Sequence, residues 1–178
     1  WPAQLCKVPV RLLNTMDPSA KGTLIAAQPA AAGVKAVAAK DNIIAIRIKS
    51  SRMLLAYGFL RKTFEVFEKY RTPIDMITTS EVAVSLTIDS DQHLPAIIQE
   101  LEPFGTVEID KGQTIVSLVG HEITTTPSIL AKLAQSVEGI PIRMVSYGGS
   151  PHNITLLVPA THKTALLRQL NTGIFGLN

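Results

Sequence analysis

The sequence holds one cysteine, one tryptophan and only 5% aromatic residues in 178 positions. With Cys6 alone, no disulfide within the chain and no CxxC metal site can form. A reducing, cytoplasmic setting is the expectation for such a chain. Charged residues make up only 17%, while apolar residues make up 46%, which is not the composition of a disordered chain. Seventeen Lys and Arg against fourteen Asp and Glu leave a net charge of +3. The basic residues are scattered, with no stripe that would release many counterions from DNA, so nucleic acid is not an expected partner. No run of about 18 apolar residues occurs, so no membrane helix is expected. The Ala-rich stretch from Leu24 to Ala39 is broken by Gln28, Pro29, Gly33 and Lys35 and lacks a charged leading segment, unlike a signal peptide. The chain starts at Trp1 without a Met, which reads as a fragment or a processed product. His93, His121, His152 and His162 are dispersed without HxxxH or HExxH spacing, so neither a metal site nor a cofactor is expected. No GxSxG elbow or Walker A loop is present.

What is present is a strong periodic pattern. Val8 to Leu13 and Gly22 to Ile25 read as short strands around a turn cluster at 14–19. Residues 28–33 read as a linker and Val34 to Ala39 as a further short strand. Ile43, Ile44, Ala45, Ile46 and Ile48 form a β-branched strand. After Gly58, Leu60, Phe64 and Phe67 share one helical face, opposite Arg61, Lys62, Glu65, Glu68 and Lys69. Ile74, Met76 and Ile77 begin a strand. Val82, Val84, Leu86 and Ile88 alternate with polar or small residues, as a half-buried strand does. Leu94 to Leu101 is helical and Thr106 to Asp110 extended, giving β-α-β-β-α-β. The order then restarts: strand Thr114–Val119, a helix around Ile129, Leu133 and Val137, strands Ile140–Ser146 and Asn153–Val158, and a helix Lys163–Leu170. Pro73-Ile74-Asp75-Met76-Ile77-Thr78 aligns with Pro141-Ile142-Arg143-Met144-Val145-Ser146, an internal repeat that points to two related modules. The second copy lacks a last strand, and the spare one at 34–39 would complete its sheet. The first module would then be inserted into the second, leaving no open edge there.

Two segments could carry chemistry. Between strand and helix lies Met53-Leu54-Leu55-Ala56-Tyr57-Gly58-Phe59-Leu60. A glycine turn entering a helix N-terminus offers free N–H groups to a small anion such as a carboxylate. On local pattern alone a plain βα turn with Gly for tightness is the simpler reading. The second segment is Pro73-Ile74-Asp75-Met76-Ile77-Thr78-Thr79-Ser80-Glu81. Asp75 sits in an apolar strand, where a charge requires a cation. Arg143 at the matching position shows that the fold does not demand an acid. Asp75 either receives a ligand's ammonium, or is solvated or paired within the protein. Tyr147 to Asn153 is Gly-rich but lies between strands and reads as a hairpin loop. Phe64 and Phe67 read as core, since no paired aromatics suited to RNA stacking occur on the central strands.

These residues together resemble the C-terminal regulatory region of aspartate kinase, over nearly the whole chain and most closely the lysine-sensitive monofunctional type. Val8 to Thr15 with Pro18 and Gly22 to Ile25 looks like the segment leaving the kinase domain. Met53 to Leu60 with Asp75 to Val82 looks like the effector site of a first ACT module. Ile142 to Gly148, with His152-Asn153 and Val158-Pro159, looks like a second ACT module. The resemblance implies an α+β fold of two ferredoxin-like βαββαβ ACT modules in tandem, with the first inserted into the second. The implied domains are 1–32 as kinase tail and linker, 41–112 as the first module, and 33–40 plus 113–178 as the second. It implies homodimerisation through ACT modules and an inhibitory amino acid, lysine before threonine, as partner at the interface. Met53, Gly58, Phe59 and Leu60 would hold the effector backbone. Pro73, Ile74, Asp75, Thr79, Ser80 and Glu81 would surround its amino groups. Pro73 stands where relatives often have Ser and brings neither hydroxyl nor N–H. The implied function is feedback control of aspartate-family amino-acid synthesis. No catalysis is expected from this chain, since the nucleotide and aspartate sites belong to the kinase domain. The alternatives are a constitutive dimerisation module without a working effector site, or a threonine-responsive region.

Overall fold

Short apolar stretches at the start of the chain, bracketed by turn residues, can form only a small hairpin. The computed structural model describes residues 2–26, 32–50 and 57–177. A single helical turn, α1 (Pro2–Leu5), precedes β1 (Val10–Leu12) and β2 (Thr23–Ile25), which pair antiparallel from Val10↔Ile25 to Leu12↔Thr23. Every residue of these two strands is exposed.

The two strands expected at 34–39 and 43–48 are one. β3 (Gly33–Lys49) runs continuously, with register shifts between Lys40 and Ala45 and Asn42 at φ 61°. The separate strands expected at 106–110 and 114–119 likewise merge into β6 (Thr106–His121), which bends at Gly112, φ 71°. A left-handed residue in each strand lets the chain turn without breaking the ladder. At both ends of the β3–β6 ladder a glycine permits close approach. An added Cβ would lie 2.1 Å from the Lys49 carbonyl oxygen at Gly105 and 2.1 Å from that of Gly33 at Gly120.

Between the long strands lie α2 (Phe59–Lys69), β4 (Ile77–Thr79), β5 (Ala83–Ile88) and α3 (Leu94–Leu101). After β6 come α4 (Ile129–Ser136), β7 (Met144–Ser146), β8 (Asn153–Pro159) and α5 (Lys163–Phe175). The sheet order is β4-β5-β3-β6-β8-β7, antiparallel throughout. The second half of β3 pairs with β5 and with the first half of β6, from Ala45↔Asp110 to Lys49↔Thr106. The first half of β3 pairs with the second half of β6, from Val34↔Gly120 to Lys40↔Ile115. The early strand therefore completes the sheet of the second module, and the ferredoxin-like modules are threaded one inside the other.

Each module packs its helices on one sheet face. Ile44, Ile46, Ile48, Val84, Leu86 and Ile88 meet Val66, Phe67, Leu94, Ile97 and Leu101 in the first core. Val116, Leu118, Ile154, Leu156 and Val158 meet Ile129, Leu133, Leu166 and Leu170 in the second. The buried face of α2 differs from the expected one. Thr63, Val66 and Phe67 point inward, and Leu60 stays 38% exposed. Phe59 starts this stripe, because it packs edge-on against Phe104 at 6.4 Å. The Thr63 hydroxyl donates to the Phe59 carbonyl, so a polar residue is tolerated there. The last helix extends beyond the expected end at Leu170 to Phe175, closed by Gly176 at φ 66°.

A third cluster lies on the opposite sheet face, where the modules meet: Ile43, Ala45, Met76, Ile115, Met144 and Leu157. Strands buried on both faces lose the polar alternation, which explains the unbroken runs Ile43–Ile46 and Leu156–Val158.

Candidate functional site

The turn into α2 is built on Gly58. Its φ of 80° and ψ of 9° are left-handed, and its carbonyl accepts the Lys62 N–H at 3.0 Å. Among the described residues an added Cβ would meet nothing within 4 Å, and the left-handed backbone conformation itself favours glycine. Among the described residues no side chain caps the helix, so its first N–H groups have no side-chain partner there. Phe59 is half-buried in the first core, and Leu60 is exposed. Met53 lies outside the described residues.

The second predicted segment runs along the sheet edge. Pro73 is exposed, and Ile74 packs against the first core. The Asp75 N–H donates to the Thr87 carbonyl at 3.0 Å, and the Met76 N–H donates to the Thr87 hydroxyl at 3.0 Å. These bonds fix the backbone before β4 begins. At the far end the Ser80 N–H donates to the Ala83 carbonyl at 2.8 Å, and Thr79, Ser80 and Glu81 are exposed. Asp75 and Thr79 are four extended residues apart, about 13 Å. The two nitrogens of lysine reach about 7 Å at most. One lysine cannot span both ends of a single chain's segment. The surface reflects this separation. Thr79 and Ser80 border a groove of about 210 Å³ with Arg47, Lys49 and Thr78. Asp75 borders a different cleft of about 350 Å³ with Lys40, Ser117 and Thr155.

Asp75 is not free. The Lys40 Nζ lies 2.7 Å from its Oδ1 and 2.8 Å from Oδ2 of Asp89. Neither Lys40 nor Asp89 was among the predicted residues. A signal existed in the repeat. Lys40-Asp41-Asn42 ends the last strand of one module as Asp110-Lys111-Gly112 ends that of the other, with Asn42 and Gly112 both left-handed. Arg143, the counterpart of Asp75, reaches Asp110 at 3.2 Å. Its N–H donates to the Leu157 carbonyl, as that of Asp75 does to Thr87. The two ion pairs thus obey the pseudo-twofold of the repeat with their charges exchanged, and each ties one module's edge to the other module's strand end. In the loop 147–153 the Tyr147 hydroxyl donates to the Thr124 carbonyl at 2.9 Å, and His152 stacks on His121 at 5.6 Å. Both contacts hold the second module together. Among the described residues no group of three metal-ligating side chains occurs.

The hydrogen bond to Asp75, and next that to Asp89, holds the Lys40 ammonium above the ordinary lysine range. Lys40 in turn holds the Asp89 carboxyl below its ordinary range. Asp41 is lowered by its bond to Lys163 and then by Thr114, Glu100 by Lys69 and then by Tyr70, and Glu108 by Lys49. A carboxylate whose folded pKa is depressed contributes stability above its unfolded pKa, near 4. That contribution is lost as pH falls through the folded value. For Lys40 the contribution is full below about pH 10.4 and lost as pH rises through its raised value. The melting temperature is therefore expected to fall on acidification below about pH 4. Because these pairs are largely exposed, 1 M salt at pH 7 should remove part of the difference. A melting temperature equal at pH 3 and pH 7 would show that these pairs contribute nothing to stability.

With this geometry in hand, the relatives are informative. The ACT domain family matches residues 116–173. The chloroplastic aspartokinase 3 of Arabidopsis thaliana is 34% identical over 98% of this chain and 33% of its own length. The lysine-sensitive aspartokinase 3 of Escherichia coli K12 is 30% identical over 98% of this chain and 41% of its own. The chain thus spans roughly a third to two fifths of these curated relatives. A crystal structure of E. coli aspartokinase III in complex with lysine and aspartate, in the T-state, superposes with a TM-score of 0.85 at 30% identity, covering 98% of this chain and 40% of that one. A solved domain from Porphyromonas gingivalis W83, described as a proposed C-terminal regulatory domain of aspartate kinase, is 46% identical with a TM-score of 0.71, covering 79% of this chain and 96% of that one. The chain belongs to the aspartate kinase family and corresponds to its ACT-domain regulatory region.

Proposed function

We propose that this chain is the feedback arm of an aspartate kinase and that it binds an inhibitory amino acid, lysine before others, between two copies of itself. The observation that carries this reading is the position of β4. Among the described residues its only ladder partner is β5, and β7 lies near it without a ladder between them, so the outer backbone groups of β4 have no strand partner. Asp75 stands at one end of that edge and Thr79, Ser80 and Glu81 at the other. Antiparallel pairing of β4 with its copy sets the Asp75 end of one chain beside the Thr79–Glu81 end of the second. This resolves the 13 Å separation that a single chain leaves. Gly58, Phe59 and Leu60 would offer the α2 N-terminus to the carboxylate, with Met53 nearby in sequence, and Pro73 and Ile74 would shape the wall beside Asp75. Asp75 takes an ammonium, which threonine's side chain lacks. Binding regulates only if it favours one arrangement of the chains over another. The phosphorylation of aspartate belongs to the remainder of the natural enzyme, and a reducing cytoplasmic setting is part of the same proposal. The same proposal divides the modules at 41–112 and at 33–40 plus 113–178, a division supported by the left-handed residues Asn42 and Gly112.

A second reading, a constitutive dimerisation module, is favoured by the Asp75–Lys40 pair, since it satisfies Asp75 without a ligand. Calorimetric titration of the chain with lysine, threonine and methionine separates the readings. A saturable lysine signal is expected, with none for the other two, and a matching rise in melting temperature. No lysine heat at two temperatures and no thermal shift would leave the dimerisation reading. A threonine signal instead would reassign the effector.

A further inference from the structure

We propose that Lys40 is a built-in competitor for the effector's ammonium at Asp75, and that Asp89 is the partner Lys40 keeps when it is displaced. This rests on the effector reading above and names the residue that sets its affinity.

The three charged groups form one cluster. A single Nζ sits 2.7 Å from the Asp75 carboxylate and 2.8 Å from the Asp89 carboxylate. An ammonium has three donors, so both bonds form at once. Two carboxylates and one ammonium leave a net charge of −1, room for one further cation. When a ligand ammonium docks on Asp75 and Lys40 stays with Asp89, each carboxylate has its own cation. A second ammonium on Asp75 would lie close to the Lys40 ammonium and be repelled by it, so docking and the Lys40–Asp75 bond disfavour one another. The Asp75 carboxylate borders the cleft it shares with Lys40, Ser117 and Thr155, and its side chain is 26% exposed, so a ligand can reach it.

The pseudo-symmetric pair lacks this option. Among the described ion pairs Arg143 meets only Asp110, and Glu108, whose carboxylate also feels the Arg143 charge, is already paired with Lys49 and Arg47. The Lys40 side alone can open without stranding a charge. Lys40 also ends the first half of β3, two residues before the left-handed Asn42. Its release loosens a tie between the modules at the bend itself. Binding at Asp75 is thereby coupled to module orientation.

A tethered competitor lowers apparent affinity by the fraction of time it occupies the site. Lys40→Met keeps the aliphatic stem and removes the charge. It is expected to tighten lysine binding about tenfold in calorimetric titration of the whole chain. Asp89→Asn removes the fallback partner and is expected to weaken lysine binding by about the same factor. A merely structural Lys40 would weaken binding in both variants, so opposite signs are the signature. Lys40→Gln replaces the Met variant if that one melts below the wild type. Unchanged or weaker binding in a folded Lys40 variant, with wild type still binding lysine, overturns the competition and leaves the effector reading intact. No lysine binding in wild type or in either Lys40 variant overturns the effector reading and this inference together.

Discussion

Replacing Asp75 with alanine is expected to cut lysine binding by ten- to a hundredfold while leaving the chain folded. A hydrogen bond to a charged partner is worth about 1.5–3 kcal/mol, and each 1.4 kcal/mol is tenfold in affinity. The stability cost should be far smaller. The lost pair with Lys40 is partly exposed, with side-chain accessibilities of 46% and 26%, and pairs of this kind contribute about 0.2–1 kcal/mol. Lys40 keeps Asp89, so no charge is stranded. The edge keeps its place through the Asp75 N–H bond to Thr87, which alanine retains. Asp75→Asn should behave like the alanine variant in affinity, since it preserves shape and loses charge. Calorimetric titration together with thermal melting reads both quantities. Equal lysine affinity in wild type and Asp75→Ala would remove Asp75 from the site. A large drop in melting temperature would make it a structural residue instead.

The largest stability effect is expected from Leu157→Ala. Leu157 is fully buried in the inter-module cluster, between its ladder partners Ile115 and Met144. Truncating a buried leucine costs about 2–5 kcal/mol, more where the surroundings cannot collapse. Here they cannot collapse easily, because the flanking residues belong to strands held by ladders on both sides. Domains of this size are stable by only about 5–15 kcal/mol, so the variant should lose a large share of that. Urea unfolding should show a lower midpoint with an unchanged slope. Leu60→Ala, on the exposed side of α2, should shift the midpoint by less than about 0.5 kcal/mol equivalent. Comparable shifts in the two variants would mean that the inter-module cluster is not a working core.

Much of this architecture is legible in the residues. The alternation at Val84, Leu86 and Ile88 marks the strand that faces the helices, and all three are fully buried. The repeated Pro-Ile entry before Asp75 and Arg143 marks equivalent strands, and both lead to sheet edges. Other features were less legible. Helical spacing put Leu60 with Phe64 and Phe67 on the buried stripe of α2, and the contact of Phe59 with Phe104, 45 residues away, makes Phe59 its start instead. β3 and β6 read as pairs of short strands because Asn42 and Gly112 interrupt the local pattern. Only pairing along both modules makes each a single strand.

The division has a physical basis. Periodicity, turn chemistry and the repeat are set by residues within a few positions of each other, and the sequence by itself determined the two-module α+β plan, its family and the candidate segments. The state of Asp75 depends on a cation 35 positions upstream. Whether Lys40 reaches it is decided by the bend at Asn42, by the pairing of β3 with β6 and by the position of Asp89. Charge contacts between distant segments have no period; the repeat marks Lys40 and Asp110 as equivalent, but only the tertiary structure shows that the candidate effector carboxylate already holds a cation.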